Sequence, residues 1–183
     1  QTVALLNLAG IPVKSVRYGF NYGFSKVEGA DEFIDTTEVT VPAANNEIAP
    51  AVQETVDAYY KELEELAGTP FANNIISSEN AKKILDAEDD SVQFVDIRRK
   101  EDFDQGHIET AINIPYGPDM HEMFGSLPAD KKLIVNCYSG QTAGQTVAIL
   151  KVIGYDAASL KGGMGTPKNE PMGWVTEGYP VVQ

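Results

Sequence analysis

The sequence predicts an α/β fold in which a parallel β-sheet is covered by helices on both faces. Three observations carry this. Short apolar stretches at 74–76, 91–97, 111–114, 133–136 and 157–160 alternate with helical patterns, and a strand–helix–strand series folds into a parallel sheet. Leu133, Ile134 and Val135 are apolar and mostly β-branched, which suits a strand buried at the centre of the sheet. The chain then turns through Cys137-Tyr138-Ser139-Gly140 into a helical segment. A polar loop therefore falls beyond the carboxyl end of a strand, where such sheets hold their sites.

The elements follow in chain order. Gln1–Gly10 (QTVALLNLAG) aligns with Gln145–Gly154 (QTVAILKVIG) at an offset of 144, with six of ten pairs identical. Similarity continues in kind: Ser15–Gly19 matches Ser159–Gly163, and Val39–Val41 sits where Pro180–Val182 ends the later copy. Residues 1–42 thus read as the C-terminal half of an incomplete upstream module, and the chain, which begins at Gln1, as a piece of a longer tandem protein. Within this half, Tyr18–Phe24 reads as an irregular loop, and Val39–Pro42 as a short strand or extended exit. Residues 43–72 form a linker with an amphipathic helix. Ala43–Glu47 is irregular; Ile48, Val52, Val56, Tyr59, Leu63 and Leu66 then keep helical spacing until Gly68 and Pro70. That stripe reads as packing between modules, and Glu62, Glu64 and Glu65 as a solvated face.

Residues 73–183 read as one complete domain. Asn74–Ile76 is a short strand, and Ser77 or Ser78 caps a helix containing Ala81, Ile84 and Leu85. Ser91–Ile97 is the next strand; Lys100–Phe103 make a turn of helix, broken by Gly106. Ala111–Ile114 is a strand stopped by Pro115, and Met120, Met123 and Phe124 mark a small helix. After the strand Leu133–Asn136 and its loop, a helix opens at Thr142, with Val147, Leu150 and Ile153 in phase and Gly154 as its stop. Ala157–Leu160 is the final strand.

Composition narrows the function. A hydrophobic fraction of 43% over 183 residues is ample for a core. The net charge of -13 argues against nucleic acid and anionic membrane surfaces as partners. No apolar run approaches the length of a membrane span, and the compartment stays unknown. One cysteine excludes an internal disulfide framework and a Cys-rich metal site. His107, His121 and the scattered carboxylates show no metal-ligand spacing, and no cofactor is expected. A lone cysteine more often fills a core than reacts. Cys137, however, stands between a strand end and a helix N-terminus, where free amides and the helix dipole favour a thiolate and hold an anion on the sulfur.

Several ordered motifs resemble the rhodanese domain family over roughly residues 74–182. They are Val95-Asp96-Ile97-Arg98, Glu101-Asp102-Phe103, and Gly106-His107-Ile108 through Ile114-Pro115. Cys137-Tyr138-Ser139-Gly140-Gln141-Thr142, Leu160-Lys161-Gly162-Gly163, Trp174 and Gly178-Tyr179-Pro180-Val181 complete the set. The resemblance implies a three-layer α/β domain with a central, mostly parallel five-stranded sheet. It also accounts for the first 42 residues, since tandem modules are common in that family. It implies a sulfurtransferase in which Cys137 accepts a sulfane sulfur as a persulfide and passes it to a thiophilic acceptor. Phosphatases sharing the fold carry the longer loop Cys-x5-Arg, whereas the sixth residue after Cys137 is Ala143. The loop instead resembles the sulfurtransferase form Cys-x-x-Gly-x-Thr, ending at Thr142.

On this reading Cys137 is the catalytic residue, and Tyr138, Ser139, Gly140, Gln141 and Thr142 bind the transferred sulfur through their amides. Ser139 and Thr142 also suit helix capping. Asp96 and Arg98 support the loops as an ion pair, and His107 is a structural turn residue rather than a base. Tyr138, Ser139 and Gln141 are neutral, which disfavours dianionic thiosulfate, and Tyr138 could line a pocket for a less charged persulfide donor. The partners expected are a small sulfur donor and a cyanide, thiol or protein-thiol acceptor, with oligomer formation open to the orphan N-terminal segment. The alternative is a non-catalytic rhodanese-like interaction or regulatory module.

Overall fold

The computed structural model describes residues 1–40, 43, 46–168 and 170–183. Val41 and Pro42 of the expected exit strand, and Ala44 and Asn45 of the linker, lie outside the described residues. Strands β1 (Ile75–Ile76), β2 (Val92–Asp96), β3 (Ile112–Asn113), β4 (Lys132–Asn136) and β5 (Ala157–Leu160) form one sheet in the order β1-β5-β4-β2-β3. Every ladder is parallel. Central β4 pairs along its whole length with β2, from Val92↔Lys132 to Asp96↔Asn136. The strands at the two edges have two residues each, which leaves little unpaired edge for another chain to join.

Strand alternation sorts the core into two layers. Leu133, Val135, Val95 and Ala157 face α6 (Gln141–Val152) and meet its Ala143, Val147 and Leu150. Met120 and Leu127, from the 3₁₀ helix Met120–Ser126 and its end, close that layer. Ile134, Phe94 and Leu160 face the other way, against Ala81 of α4 (Ser78–Asp86), Ile108 and Trp174. Each large apolar side chain fully buried here contributes about 1.5–3 kcal/mol relative to exposure. Ser77 caps α4 by accepting the Asn80 N–H at 3.2 Å. Helix α5 (Lys100–Gln105) ends at Gly106. The C-terminal segment returns to this turn, where His107 and Val182 exchange two 2.9 Å backbone hydrogen bonds.

The N-terminal segment packs on this domain. Helix α1 (Thr2–Leu8) lies against α6, the helix it resembles in sequence, and α3 (Pro50–Glu65) joins them. Leu5, Tyr59 and Ala148 form the buried centre of this contact, with Leu63 and Val152 beside them. The stripe expected on α3 is therefore a packing face. Glu62 is not merely solvated: its carboxylate pairs with the buried Lys151 ammonium at 2.7 Å.

One expectation for this segment needs correction. Tyr18–Phe24 is not irregular throughout; it holds the helical turn α2 (Gly19–Tyr22) and the start of a 3₁₀ turn, Phe24–Lys26. Gly23 makes this tight reversal possible, since a Cβ there would stand 2.2 Å from the Arg17 carbonyl oxygen. No strand forms among the described residues of 1–40. Ser15–Gly19 repeats the end of β5 in sequence but has no neighbouring strand to pair with, and a lone extended segment gains no ladder.

Candidate active site

The loop after β4 is built by one left-handed residue. Gly140 occupies the N-cap of α6 at φ 82°, a conformation that costs a residue with a Cβ about 1–2 kcal/mol. Helix α6 opens at Gln141, one residue before the expected start, and neither Ser139 nor Thr142 supplies a side-chain cap. The turn brings the Gly140 N–H to the Cys137 Sγ at 3.1 Å, and the Ala143 N–H reaches the same sulfur at 3.4 Å. Ala143 stands third in the helix, one of the first-turn positions whose N–H groups lack an intrahelical acceptor. Of the expected amides from Tyr138 to Thr142, only that of Gly140 donates to the sulfur among the described residues. Ala143 was missed, because its donor is backbone and becomes visible only once the helix start is known. The Thr142 hydroxyl makes no hydrogen bond to the sulfur. Cys137 is 2% exposed and joins the buried layer under α6.

A second glycine turn fixes the loop from behind. The Cys137 carbonyl accepts the Met164 N–H at 2.7 Å, and the Tyr138 carbonyl accepts the Gly165 N–H at 2.9 Å. Lys161-Gly162-Gly163 makes this approach possible: a Cβ on Gly163 would stand 2.3 Å from the Cys137 carbonyl oxygen. With these carbonyls spent on the turn, the loop offers N–H groups to the sulfur.

The loop side chains go elsewhere than expected. The Tyr138 hydroxyl donates to the Asp102 carboxylate and accepts the Arg99 N–H at 3.3 Å. Burial and the Asp102 carboxylate raise its pKa above the ordinary tyrosine value. The hydroxyl thus ties the cysteine loop to the start of α5. Gln141 latches the N-terminal segment: its Nε2 donates to Ser15 Oγ (3.2 Å) and the Val16 carbonyl (3.3 Å), and its Oε1 accepts the Tyr18 N–H (3.4 Å). Ser139, Gly140 and Gln141 form one wall of a cavity of about 370 Å³.

Asp96 and Arg98 form a buried, two-pronged ion pair. Arg98 Nη2 stands 2.7 Å from Asp96 Oδ2 and Nε 3.1 Å from Oδ1, while Nη2 also donates to the Gly106 carbonyl at 2.6 Å. Asn113 adds hydrogen bonds to the Asp96 and Arg98 carbonyls at 2.9 and 3.0 Å, a clamp the sequence reading did not single out. His107 stacks on Phe103 at 3.8 Å and its Nδ1 is 3.0 Å from the Phe103 carbonyl oxygen. His121 is exposed. Among the described residues no group of histidine, cysteine or carboxylate side chains could hold a metal ion, and no helix is long and apolar enough to cross a membrane.

The rhodanese-like domain profile matches residues 77–166. A sulfurtransferase of Allochromatium vinosum is 31% identical over 116 residues, 61% of this chain and 96% of the relative. Thiosulfate sulfurtransferase GlpE of Shewanella oneidensis is 36% identical over 74 residues, 40% of this chain and 72% of the relative. The crystal structure of a full-length protein from Lactobacillus plantarum matches with a TM-score of 0.51 at 20% identity, covering 68% of this chain and 98% of that one; this likeness bears on the fold.

Proposed function

The chain belongs to the rhodanese-like domain family, and from that premise we propose that it is a sulfurtransferase carrying sulfane sulfur as a persulfide on Cys137. The reading rests on one observation: the Gly140 and Ala143 N–H groups converge on the sulfur of the only cysteine. The thiolate attacks the outer sulfur of a donor, forming a new S–S bond while the donor's bond to that sulfur breaks and its electron pair leaves with the remainder. The resulting Cys137–S–S⁻ anion stays within reach of the same amides, as an oxyanion does in its hole. Hydrogen bonds to a charged acceptor contribute about 1.5–3 kcal/mol each. A thiophilic acceptor such as cyanide, a small thiol or a protein thiol then takes the outer sulfur and regenerates the thiolate. The loop itself offers no cation, which weakens the case for dianionic thiosulfate as the preferred donor.

Mass spectrometry after exposure to polysulfide or thiosulfate tests this. The expected result is a gain of one sulfur that cyanide removes and that Cys137→Ser lacks. A second reading, the non-catalytic module, draws on the 2% exposure of Cys137; absence of an adduct from every donor would favour it.

A further inference from the structure

We infer that the cavity beside the loop binds the organic body of a persulfide donor, R–S–SH, with an apolar or aromatic R group; the inference rests on the sulfurtransferase reading and names its substrate class. Several separate parts of the chain build the cavity. Ser139, Gly140 and Gln141 come from the cysteine loop, and Val16, Tyr18 and Tyr22 from the N-terminal segment, with Lys161 and Met172 closing it. Gly140 is common to both functions: it lines the cavity, and its N–H donates to Sγ. The three hydrogen bonds of Gln141 hold the opposite wall in place. At about 370 Å³ the space is that of a small organic ligand, for which pockets run roughly 300–1,000 Å³.

The charge pattern sets the ligand's chemistry. The chain carries 27 acidic residues against 14 basic, yet no carboxylate lines this cavity and Lys161 does. Lys161 has no carboxylate at ion-pair distance among the described residues. Arg17 and Lys168 lie 5.1 and 5.8 Å from the Tyr18 ring at the same wall. Apolar and aromatic walls with one lining cation fit a ligand with an apolar body and a single developing negative charge. In the transfer step the Cys137 thiolate bonds to the outer sulfur of R–S–SH, and the inner sulfur takes the electron pair of the broken bond. The persulfide proton passes to that sulfur, giving R–SH and Cys137–S–S⁻. On this proposal Lys161, the one cation of the lining among the described residues, offsets the charge that develops on the inner sulfur. Thiosulfate has no apolar body to occupy the walls.

The test uses phenylmethanesulfonate, a benzyl group with one negative charge and no transferable sulfur, titrated into the full chain by calorimetry. Saturable binding is expected, with Val16→Asp and Lys161→Glu each weakening it about ten-fold or more, since each sets a negative charge against the anion. Val16 is largely exposed, so its variant should fold, and Lys161→Glu gives an independent check. Saturating sulfonate should also slow sulfur loading of Cys137 from benzyl persulfide. No saturable binding, binding by both variants as tight as by the unsubstituted chain, or loading that ignores the sulfonate overturns the inference. Binding needs no sulfur uptake, so this failure is distinguishable from failure of the sulfurtransferase reading.

Discussion

Arg98 joins two turns of the chain by a single guanidinium: the end of β2 through Asp96, and the turn after α5 through the Gly106 carbonyl. Asp96 is fully buried, so removing its partner leaves a carboxylate with no compensating charge. Such removals cost about 3–5 kcal/mol, whereas replacing both members of a buried pair by apolar groups is often near neutral. Arg98→Met should therefore lower the urea midpoint strongly, and a second change, Asp96→Leu, should recover part of the loss. Tyr138 makes a pH prediction of opposite character. Its pKa is raised in the folded chain, first by burial and next by Asp102, so folding favours the neutral phenol. That contribution is present in full below the unfolded tyrosine value of about 10 and fades as pH rises through the higher folded value. Difference ultraviolet titration against Tyr138→Phe should show a phenol ionising later than a free tyrosine, and the variant should lose less stability over that alkaline window.

Between elements, the contacts that matter are two glycine turns packed back to back. A Cβ on Gly140 would meet the Gly162 nitrogen at 3.1 Å and the Leu160 carbonyl oxygen at 3.2 Å, on top of its left-handed backbone. Gly140→Ala should cost about 1–2 kcal/mol from the backbone alone, and should reduce sulfur uptake by Cys137 because the displaced N–H is one of its two donors. Gly163→Ala should do more harm to both, measured by denaturation and by adduct yield, since its Cβ collides with the Cys137 carbonyl at 2.3 Å and the Gly140 nitrogen at 2.8 Å. The strands were legible because apolar runs such as Leu133–Val135 record burial on both faces directly. The motif residues from Asp96 to Thr142 were legible for a different reason, their ordered resemblance to a family's motifs. The Ala143 donor was not, because a main-chain N–H leaves no mark in residue type. The side-chain role of Gln141 was hidden for another reason: its partners Ser15, Val16 and Tyr18 stand more than 120 residues away, and no local pattern announces such a latch.

Across the whole molecule, the unusual feature is that two segments alike in sequence, Gln1–Gly10 and Gln145–Gly154, meet each other as α1 and α6. The contact is substantial chemistry, not a surface touch. Leu5 is 2% exposed between Tyr59 and Ala148, the Gln1 side chain donates to the Asn73 carbonyl at 3.1 Å, and its Oε1 accepts the Tyr59 hydroxyl at 2.5 Å. A segment docked in this way should unfold with the domain and not before it. Leu5→Ala removes buried methyl groups from a site walled by two other helices, so it should cost about 2–5 kcal/mol and move a single, cooperative denaturation transition to lower urea. An unchanged main transition, or a separate early one, would mean that residues 1–40 are only loosely held. The same variant reports on the cavity, because α1 leads directly into the Val16–Tyr22 wall. If docking of α1 is what positions that wall, Leu5→Ala should weaken phenylmethanesulfonate binding while leaving the cysteine loop, anchored independently by Met164 and Gly165, in place.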